Sequence, residues 1–219
     1  MTPYAAMRMK RASAAAGSVN VLMHMDGTNG GTTFTEDNGK TPTRVGSGIV
    51  TSTTQAKFGT ASATGFASGS TLRVAASAMP ADFTLAAWFW WDGTAAGNKA
   101  IFTTNGGSEL YIRNSSSNAL TWFTAGSNVI IGSGGAPSAN AWHLACMERV
   151  GTTVRMTLDG VSQGTYTDAA TFIAGDLYIG SYSSGAENFT GYIDDVYLRI
   201  GNALFGGGAF TPPTSAFTL

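Results

Sequence analysis

The chain has 219 residues, and its 12 Lys and Arg against 13 Asp and Glu give a formal net charge of -1. Only 11% of the residues are charged, where roughly a quarter is usual, so the main body lacks the clustered positive charge that binds nucleic acid or anionic membranes. Hydrophobic residues make up 43% and aromatic residues 11%, which excludes a disordered chain. The 29 Gly and only four Glu favour an all-β fold, and the length fits a single domain.

Cys146 is the single cysteine, which excludes an intrachain disulfide and a cysteine-based metal site. We interpret it as a small buried side chain on a strand. No apolar run reaches the roughly 18 residues of a membrane span, and the short apolar stretch near the N-terminus does not form a signal peptide. We therefore predict cytoplasmic synthesis, with no membrane and no nucleic-acid partner.

Residues 1–18 form a basic segment of their own, so we predict an N-terminal arm followed by one domain over residues 19–219. The arm offers little apolar area to offset an ordering cost of roughly 1 to 2 kcal/mol per residue. We therefore expect it to dock on a neighbouring subunit, and the alternative is that it packs back on its own domain or forms a short Ala-rich helix. The docking residues that we predict are two large apolar anchors and three cations: Tyr4, Met7, Arg8, Lys10 and Arg11.

From residue 19 onward, β-branched or aromatic runs alternate with Gly, Asn, Asp and Ser about every 8 to 12 residues, as in an antiparallel sandwich. In chain order, the predicted strands are 19–25, 32–35, the region 45–53, 61–66, 72–74, 83–91, 101–103, 110–113, 120–124, 129–131, 141–150, 154–158, 161–166, 177–179 and 192–200. The run 83–91 is apolar on both alternating faces, which predicts a central strand covered on both sides. We expect less than about a tenth of the chain to be helical.

Three local features refine this pattern. The dipeptide Asp159-Gly160 tolerates the positive φ of a type I′ turn and predicts a tight hairpin. In the last strand, Ile193 cannot share a face with the apolar residues that follow it, unless a β-bulge at Asp194-Asp195 shifts the alternation. Residues 203–219 carry three successive Gly and a Pro pair, so we predict a tail that runs extended along the surface.

Four stretches together resemble the laminin-G-like, concanavalin A-type jelly roll, and the resemblance covers residues 19–217. They are VLMHMDG (21–27), KFGTASATGF (57–66) followed by DFTLAAWFWW (82–91), AWHLACMERVGTTVRMTLDGV (141–161) and LYIGSYSSGAENFTGYIDDVYLRIG (177–201). The resemblance implies two antiparallel sheets packed face to face, with loops at one rim. The opening stretch and the closing FTPPTSAF (210–217) are also similar to laminin-G-like proteins of tailed bacteriophages, where such domains sit on the virion.

The chain lacks a catalytic pattern. Glycoside hydrolases with this sandwich carry two Glu on one strand, in a pattern like E-x-D-x-E, so that both carboxyls reach one sugar bond from about 5 Å apart. The four Glu are far apart in sequence, and the segment 84–91 carries no carboxylate. His143 and Cys146 differ by three residues on one strand and face opposite sides, and His24 likewise cannot be combined with Cys146 as a base and its nucleophile. We predict that the protein is not an enzyme.

Calcium ions at the rim recur in the resembled family, and such cations need several oxygen ligands. No local run of the DxDxDG type concentrates ligands here, so we predict no resident cofactor, with calcium left open. The alternative is that the candidate residues make turn and cap hydrogen bonds. These candidates are Asp26, Asp37, Asn38, Asp159, Asp194 and Asp195.

Carbohydrate binding would use aromatic platforms beside Asn, Asp and Gly. The candidates are Trp122, Tyr182, Asn188 and Trp91. For Trp122 we leave open whether the ring is an exposed platform or part of the core, and we interpret Trp142, at the start of a strand, as a core residue.

Two functions fit these observations. The leading prediction is a non-catalytic structural virion protein of a tailed bacteriophage, a decoration, fibre or tail component made in the host cytoplasm. Its partners would be other virion subunits, in a homo-oligomer. The alternative is a carbohydrate-binding module for cell-surface glycans, and one protein can combine the two roles.

Overall fold

The computed structural model describes residues 17–219 except 95, 106, 113–116, 125, 170–171 and 173–174. The described residues form fifteen strands. Among these residues there is no helix long and apolar enough to cross a membrane. The strands are β1 (Ser18–Met23), β2 (Thr43–Val45), β3 (Val50–Ser52), β4 (Ser62–Thr64), β5 (Thr71–Ala76), β6 (Phe83–Trp91), β7 (Lys99–Thr104), β8 (Glu109–Ile112), β9 (Leu120–Thr124), β10 (Ser127–Ile131), β11 (Trp142–Val150), β12 (Thr153–Leu158), β13 (Val161–Thr167), β14 (Gly175–Ile179) and β15 (Gly191–Ile200). The predicted all-β class is confirmed, although the predicted strand 32–35 is a loop.

The strands form two antiparallel sheets around one apolar core. The first sheet has the order β13-β12-β11-β6-β15-β4-β3, and β1 pairs with the second half of β15. The second sheet has the order β10-β9-β8-β7-β14-β5-β2. Strand β6 lies between β11 and β15 and is buried along almost its whole length, which confirms the predicted central strand. The outer face of a sheet is the side that points away from the other sheet.

A β-bulge interrupts β15 where the sequence predicts it. The register with β6 shifts between Asp194 and Tyr197, and Asp195 has a φ of 48°. The fully buried Asp194 carboxylate accepts hydrogen bonds from the backbone N–H groups of Lys57 (2.9 Å) and Phe58 (3.2 Å). The bulge thus directs the Asp194 carboxylate at the two backbone N–H groups of the loop before β4. Without this carboxylate, these two donors would lack a partner.

Neighbouring carboxylates tie other segments together in the same way. Asp195 lies 2.7 Å from the His24 ring and accepts the N–H of Phe217 at 2.9 Å. Asp26 accepts the backbone N–H and the hydroxyl of Thr60. Sequence stretches that carry the family resemblance are therefore bonded to one another through acidic side chains.

The C-terminal tail, residues 201–219, has no strand but covers the outer face of the first sheet. Phe217 is 6% exposed and stacks on Tyr197 with ring centroids 4.6 Å apart. The buried Glu148 carboxylate accepts the N–H of Phe205 at 2.8 Å. The second apolar cluster that results consists of Leu22, Ala86, Trp88, Leu144, Cys146, Tyr197 and Phe217. The tail runs along the surface of its own domain, as predicted. In addition, its Phe217 side chain is buried against the outer face of the first sheet.

The predicted hairpin turn is present, with φ of 51° at Asp159 and 76° at Gly160. We expect Gly160→Val to lower the free energy of unfolding by about 2 kcal/mol, because a β-branched residue resists positive φ and its Cβ would collide with the carbonyl of Phe210. Gly151→Val is the matched control, since Gly151 has a φ of 61° and open space around it. Urea unfolding should show the larger loss for Gly160, and equal losses would contradict the contact with the tail.

Candidate functional site

Three aromatic side chains form a row on the outer face of the first sheet. Trp90 of β6 is paired with Tyr192 of β15 on one side and with Trp142 of β11 on the other. Because Phe89 and Trp91 belong to the core, Trp90 and its two partners point outward. All three are half-buried, and the rings of Trp90 and Tyr192 pack edge to face, 5.4 Å apart. Strands lie about 4.8 Å apart, so this aromatic row is about 10 Å long.

Polar residues border the aromatic row at the ends of the same three strands. The N–H of Asp92 donates to the carbonyl of Thr190 (3.3 Å), and the N–H of Asn140 donates to that of Trp91 (2.8 Å). Asp92 and Asn140 are exposed, whereas the Thr190 hydroxyl is buried and has no hydrogen-bond partner within the described part of the chain. Asp92 and Asn140 are the polar border. Aromatic rings beside such groups suit a ligand that offers both C–H and O–H surfaces.

His143 holds the loop that leads into the row. Its Nδ1 lies 2.6 Å from Asp159 Oδ2, and its Nε2 lies 2.9 Å from the hydroxyl and 3.1 Å from the carbonyl oxygen of Ser138. Burial lowers the pKa of His143, but the hydrogen bond and charge of Asp159 and the Ser138 carbonyl outweigh it, so the pKa is raised overall. This His143 clamp ties the segment before Trp142 to the hairpin turn.

Ser138, His143 and Asp159 have the connectivity of a hydrolase triad, which the sequence analysis did not find. An active triad needs a neutral imidazole whose Nε2 accepts the serine proton. Here Nε2 faces both the hydroxyl and the carbonyl oxygen of Ser138, and Asp159 also accepts the backbone N–H of Leu144. These contacts hold the loop against the hairpin turn. Cys146 is fully buried in the second apolar cluster, as predicted, and burial raises the pKa of its thiol well above the ordinary value.

A second titratable pair lies on the outer face of the second sheet. Glu109 lies on β8 and Glu187 lies in the loop before β15, close enough for their charges to interact, and Asn98 Nδ2 donates to Glu187 at 2.9 Å. Burial and then the charge of Glu187 raise the pKa of Glu109 to about 7. The carboxyls of glycoside hydrolases stand about 5 Å or more apart, so that the sugar and water fit between them.

The structure separates the four predicted carbohydrate-binding residues. Trp91 and Trp122 are only 3% and 1% exposed, because both side chains point into the core between the sheets. The prediction of Trp91 as a platform is therefore wrong, and of the two alternatives left open for Trp122 the core is correct. Tyr182 and Asn188 are half-buried in the loop between β14 and β15 and remain predictions. Trp142, predicted as a core residue, is half-buried and packs against the second apolar cluster, and it also belongs to the aromatic row.

Trp90 and Tyr192 were missed by the sequence analysis as binding residues. The signal was present in the alternation of β6, because Trp90 has the opposite parity to Phe89 and Trp91 and comes near the end of the strand. The predicted docking residues Tyr4, Met7, Arg8, Lys10 and Arg11 lie outside the described residues.

The acidic candidates for calcium make hydrogen bonds to the protein. Asp26, Asp159, Asp194 and Asp195 each accept backbone N–H groups, Asp37 lies 3.3 Å from His24, and the Asn38 amide donates to the carbonyl of Val19. Over residues 17–219 with the stated gaps, no group of three His, Cys, Asp or Glu side chains is placed to hold a metal ion. These contacts match the alternative of turn and cap hydrogen bonds.

Two antiparallel sheets packed face to face around an apolar core define a β-sandwich domain. A laminin G-type family profile, described as the concanavalin A-like lectin/glucanases superfamily, matches residues 64–199, more than half of the chain. The chain belongs to this superfamily. No curated protein sequence matches it.

Solved structures with the same fold come from several proteins. Domain 4 of AbnA, a GH43 extracellular arabinanase from Geobacillus stearothermophilus in complex with arabinotriose, is 13% identical with a TM-score of 0.63, over 84% of this chain and 93% of that one. The binding domain of botulinum neurotoxin serotype D is 14% identical with a TM-score of 0.58, over 85% and 49%. The Trypanosoma rangeli sialidase is 10% identical with a TM-score of 0.57, over 85% and 31%. At these identities the likeness shows the fold alone.

Proposed function

We propose that this chain is a non-catalytic glycan-binding module, with its glycan on the aromatic row. The observation that carries the proposal is the alignment of Trp90, Tyr192 and Trp142 on three adjacent strands beside the polar border. Sugar rings have apolar C–H faces that pack on aromatic rings, and their hydroxyls need hydrogen-bond partners. The row and its border supply both over a length of about 10 Å.

Two further observations support the proposal. The matched structures include the binding domain of botulinum neurotoxin serotype D. Another matched structure, domain 4 of AbnA, was solved in complex with arabinotriose. The four Glu are far apart in sequence, and residues 84–91 carry no carboxylate. Both features argue for binding without cleavage.

Alanine variants of the row test the proposal. The wild-type protein is screened on a glycan array, and the affinity for the best ligand is measured by calorimetry. Trp90→Ala and Tyr192→Ala should each weaken binding about tenfold or more, since buried aromatic anchors contribute on the order of 1.4 kcal/mol or more to affinity. Thermal melting of each variant reports whether the fold is intact.

Tyr182→Ala is the matched control, because Tyr182 is a half-buried aromatic residue on another loop that the sequence predicts as a ligand contact. Binding that survives in Trp90→Ala but is lost in Tyr182→Ala would move the site to the Tyr182 loop. An array without any ligand would contradict the glycan-binding function itself.

A second proposed role, compatible with the first, is that of a structural virion protein of a tailed bacteriophage. The similarity of residues 21–27 and 210–217 to phage laminin-G-like proteins favours it, and the basic arm would dock on other virion subunits. In this role the sandwich is a rigid display module made in the host cytoplasm. Deletion of residues 1–16 should abolish incorporation into particles and leave glycan binding intact, and normal incorporation would refute the docking role of the arm.

A further inference from the structure

A lysine of the loop before β4 lies over an aromatic ring on the outer face of the first sheet. The ammonium nitrogen of Lys57 is 3.9 Å from the centre of the Trp88 ring and 5.5 Å from that of Phe58. A cation in this position is attracted by the negative face of the ring. Trp88 is buried, whereas Lys57 is half-buried, so the lysine caps the ring on its solvent side.

The position of Trp88 places this charge next to the aromatic row. Trp88 and Trp90 are two residues apart on β6, so both point to the outer face, about 7 Å apart along the strand. Trp88 pairs with Asp194 of β15 and Leu144 of β11, one step along the same strands from the pairs that form the row. The Lys57 ammonium group is therefore within reach of a substituent on a sugar ring that packs on Trp90.

The Lys57 charge is not neutralised by a carboxylate in the described part of the chain, where none of the ion pairs includes it. Asp194 accepts the backbone N–H of Lys57, but backbone donors occupy both of its oxygens. One oxygen accepts from Lys57 and Phe58, and the other accepts from Asp195. A lysine ammonium carries three N–H donors, and the ring contacts use one side of it, so an anion can bind on the other.

The opposite end of the row carries the reverse charge. Asp92 follows β6 directly, so Trp90 lies between Asp92 and the Trp88 ring that Lys57 caps. The exposed Asp92 carboxylate can accept hydrogen bonds from neutral sugar hydroxyls, but it repels an anionic group. The two ends together orient a ligand so that its negative group points toward Lys57.

We propose that the aromatic row selects an anionic glycan, whose carboxylate or sulfate group pairs with the Lys57 ammonium. The hydroxyls of the same glycan then lie at the polar border, Asp92 and Asn140. Lys57 is thus a specificity-determining residue of the site. This inference rests on the proposed glycan-binding function and adds the charge of the ligand to it.

Matched pairs of glycans test the proposal on the full chain. An array carries uronic-acid oligosaccharides beside their carboxyl-reduced forms and sulfated oligosaccharides beside their desulfated forms, and calorimetry measures the affinities for the best pair. The anionic member should bind about tenfold more tightly than its neutral partner, and added salt should reduce the difference. The two kinds of pair distinguish a carboxylate from a sulfate.

The outcomes separate this inference from the function on which it rests. Equal binding of both members of every pair overturns the preference for an anion and leaves glycan binding intact. An array without any ligand overturns both.

Substitution of Lys57 assigns the preference to this residue. Lys57→Gln removes the charge and keeps a polar side chain, so it should bind the anionic member about tenfold more weakly and the neutral member as the wild type does. Unchanged binding of the neutral member also shows that the row is intact. Lys57→Arg keeps a cation and should retain most of the preference.

Lys40→Gln is the matched control, because it removes the same charge from a lysine that donates to the carbonyl of Asn20 on β1, away from the row. It should leave the preference unchanged. A preference that survives in Lys57→Gln, or that is lost equally in Lys40→Gln, overturns the role of Lys57.

Discussion

The free energy of unfolding should fall by about 3 kcal/mol or more as the pH rises from about 4 to about 8. Burial raises the pKa of Asp194 to about 7, despite the opposing hydrogen bonds from the backbone of Phe58 and Lys57, and burial with the Glu187 charge raises that of Glu109 to about 7. Both values exceed the roughly 4 of an unfolded chain, so the native state holds more protons between these limits. The stabilisation that these protons give the native state over the unfolded state is complete below about pH 4. It is lost as the pH rises through about 7.

Two further groups act in the same direction between pH 4 and 8. Burial raises the pKa of Asp195, and the contacts of His143 raise its pKa above the ordinary value. Urea unfolding at several pH values from about 4.5 to 8 measures the slope. Asp194→Asn, which keeps a carbonyl acceptor but cannot ionise, should remove a large part of it. Maximal stability near pH 7 to 8 in the wild type would show that these carboxyls ionise normally in the folded protein.

Phe217→Ala should lower the free energy of unfolding by about 3 to 4 kcal/mol, the usual range for truncating a buried Phe. The side chain is 6% exposed and stacks on Tyr197, and its N–H is held by the buried Asp195. Its loss leaves a cavity under the tail, and the tail then covers the outer face of the first sheet less well. Urea unfolding monitored by tryptophan fluorescence gives the change directly.

Leu219→Ala is the control for this variant, because Leu219 is two residues further along the same tail and 66% exposed. It should change the free energy of unfolding by less than about 0.5 kcal/mol. Equal small effects at both positions would indicate a tail that does not dock on the sheet in solution.

The sequence predicts the local parts of this fold well. Alternation identified β6 as a central strand, the Asp159-Gly160 dipeptide identified the hairpin, and the break in alternation at Asp194-Asp195 identified the bulge. Each depends on residues within one or two strands, where periodicity and turn chemistry act. The segment 32–35 was predicted as a strand because Thr and Phe favour extended structure, but it pairs with no other strand.

The candidate site was less predictable because it depends on register between distant strands. Trp90, Tyr192 and Trp142 become neighbours only through the pairing of β6 with β15 and β11. The contact of Glu109 with Glu187 likewise joins residues far apart in the chain. Parity along a strand separates Trp90 from Trp91, but it does not reveal which of the two faces packs against the other sheet, so Trp122 and Trp91 were open to misinterpretation.

The packing of the tail also determines when the protein can finish folding during synthesis. Residues 204–217 follow all fifteen described strands in the chain, so the outer face of the first sheet is covered only after this last segment is available to pack. Until Phe205 and Phe217 pack on the sheet, its outer face exposes apolar side chains to water, namely those of Leu144, Cys146 and Ala86. Such an exposed apolar surface favours aggregation. Translation that stops shortly before residue 204 should therefore yield a chain with every strand that nevertheless needs chaperones to stay in solution.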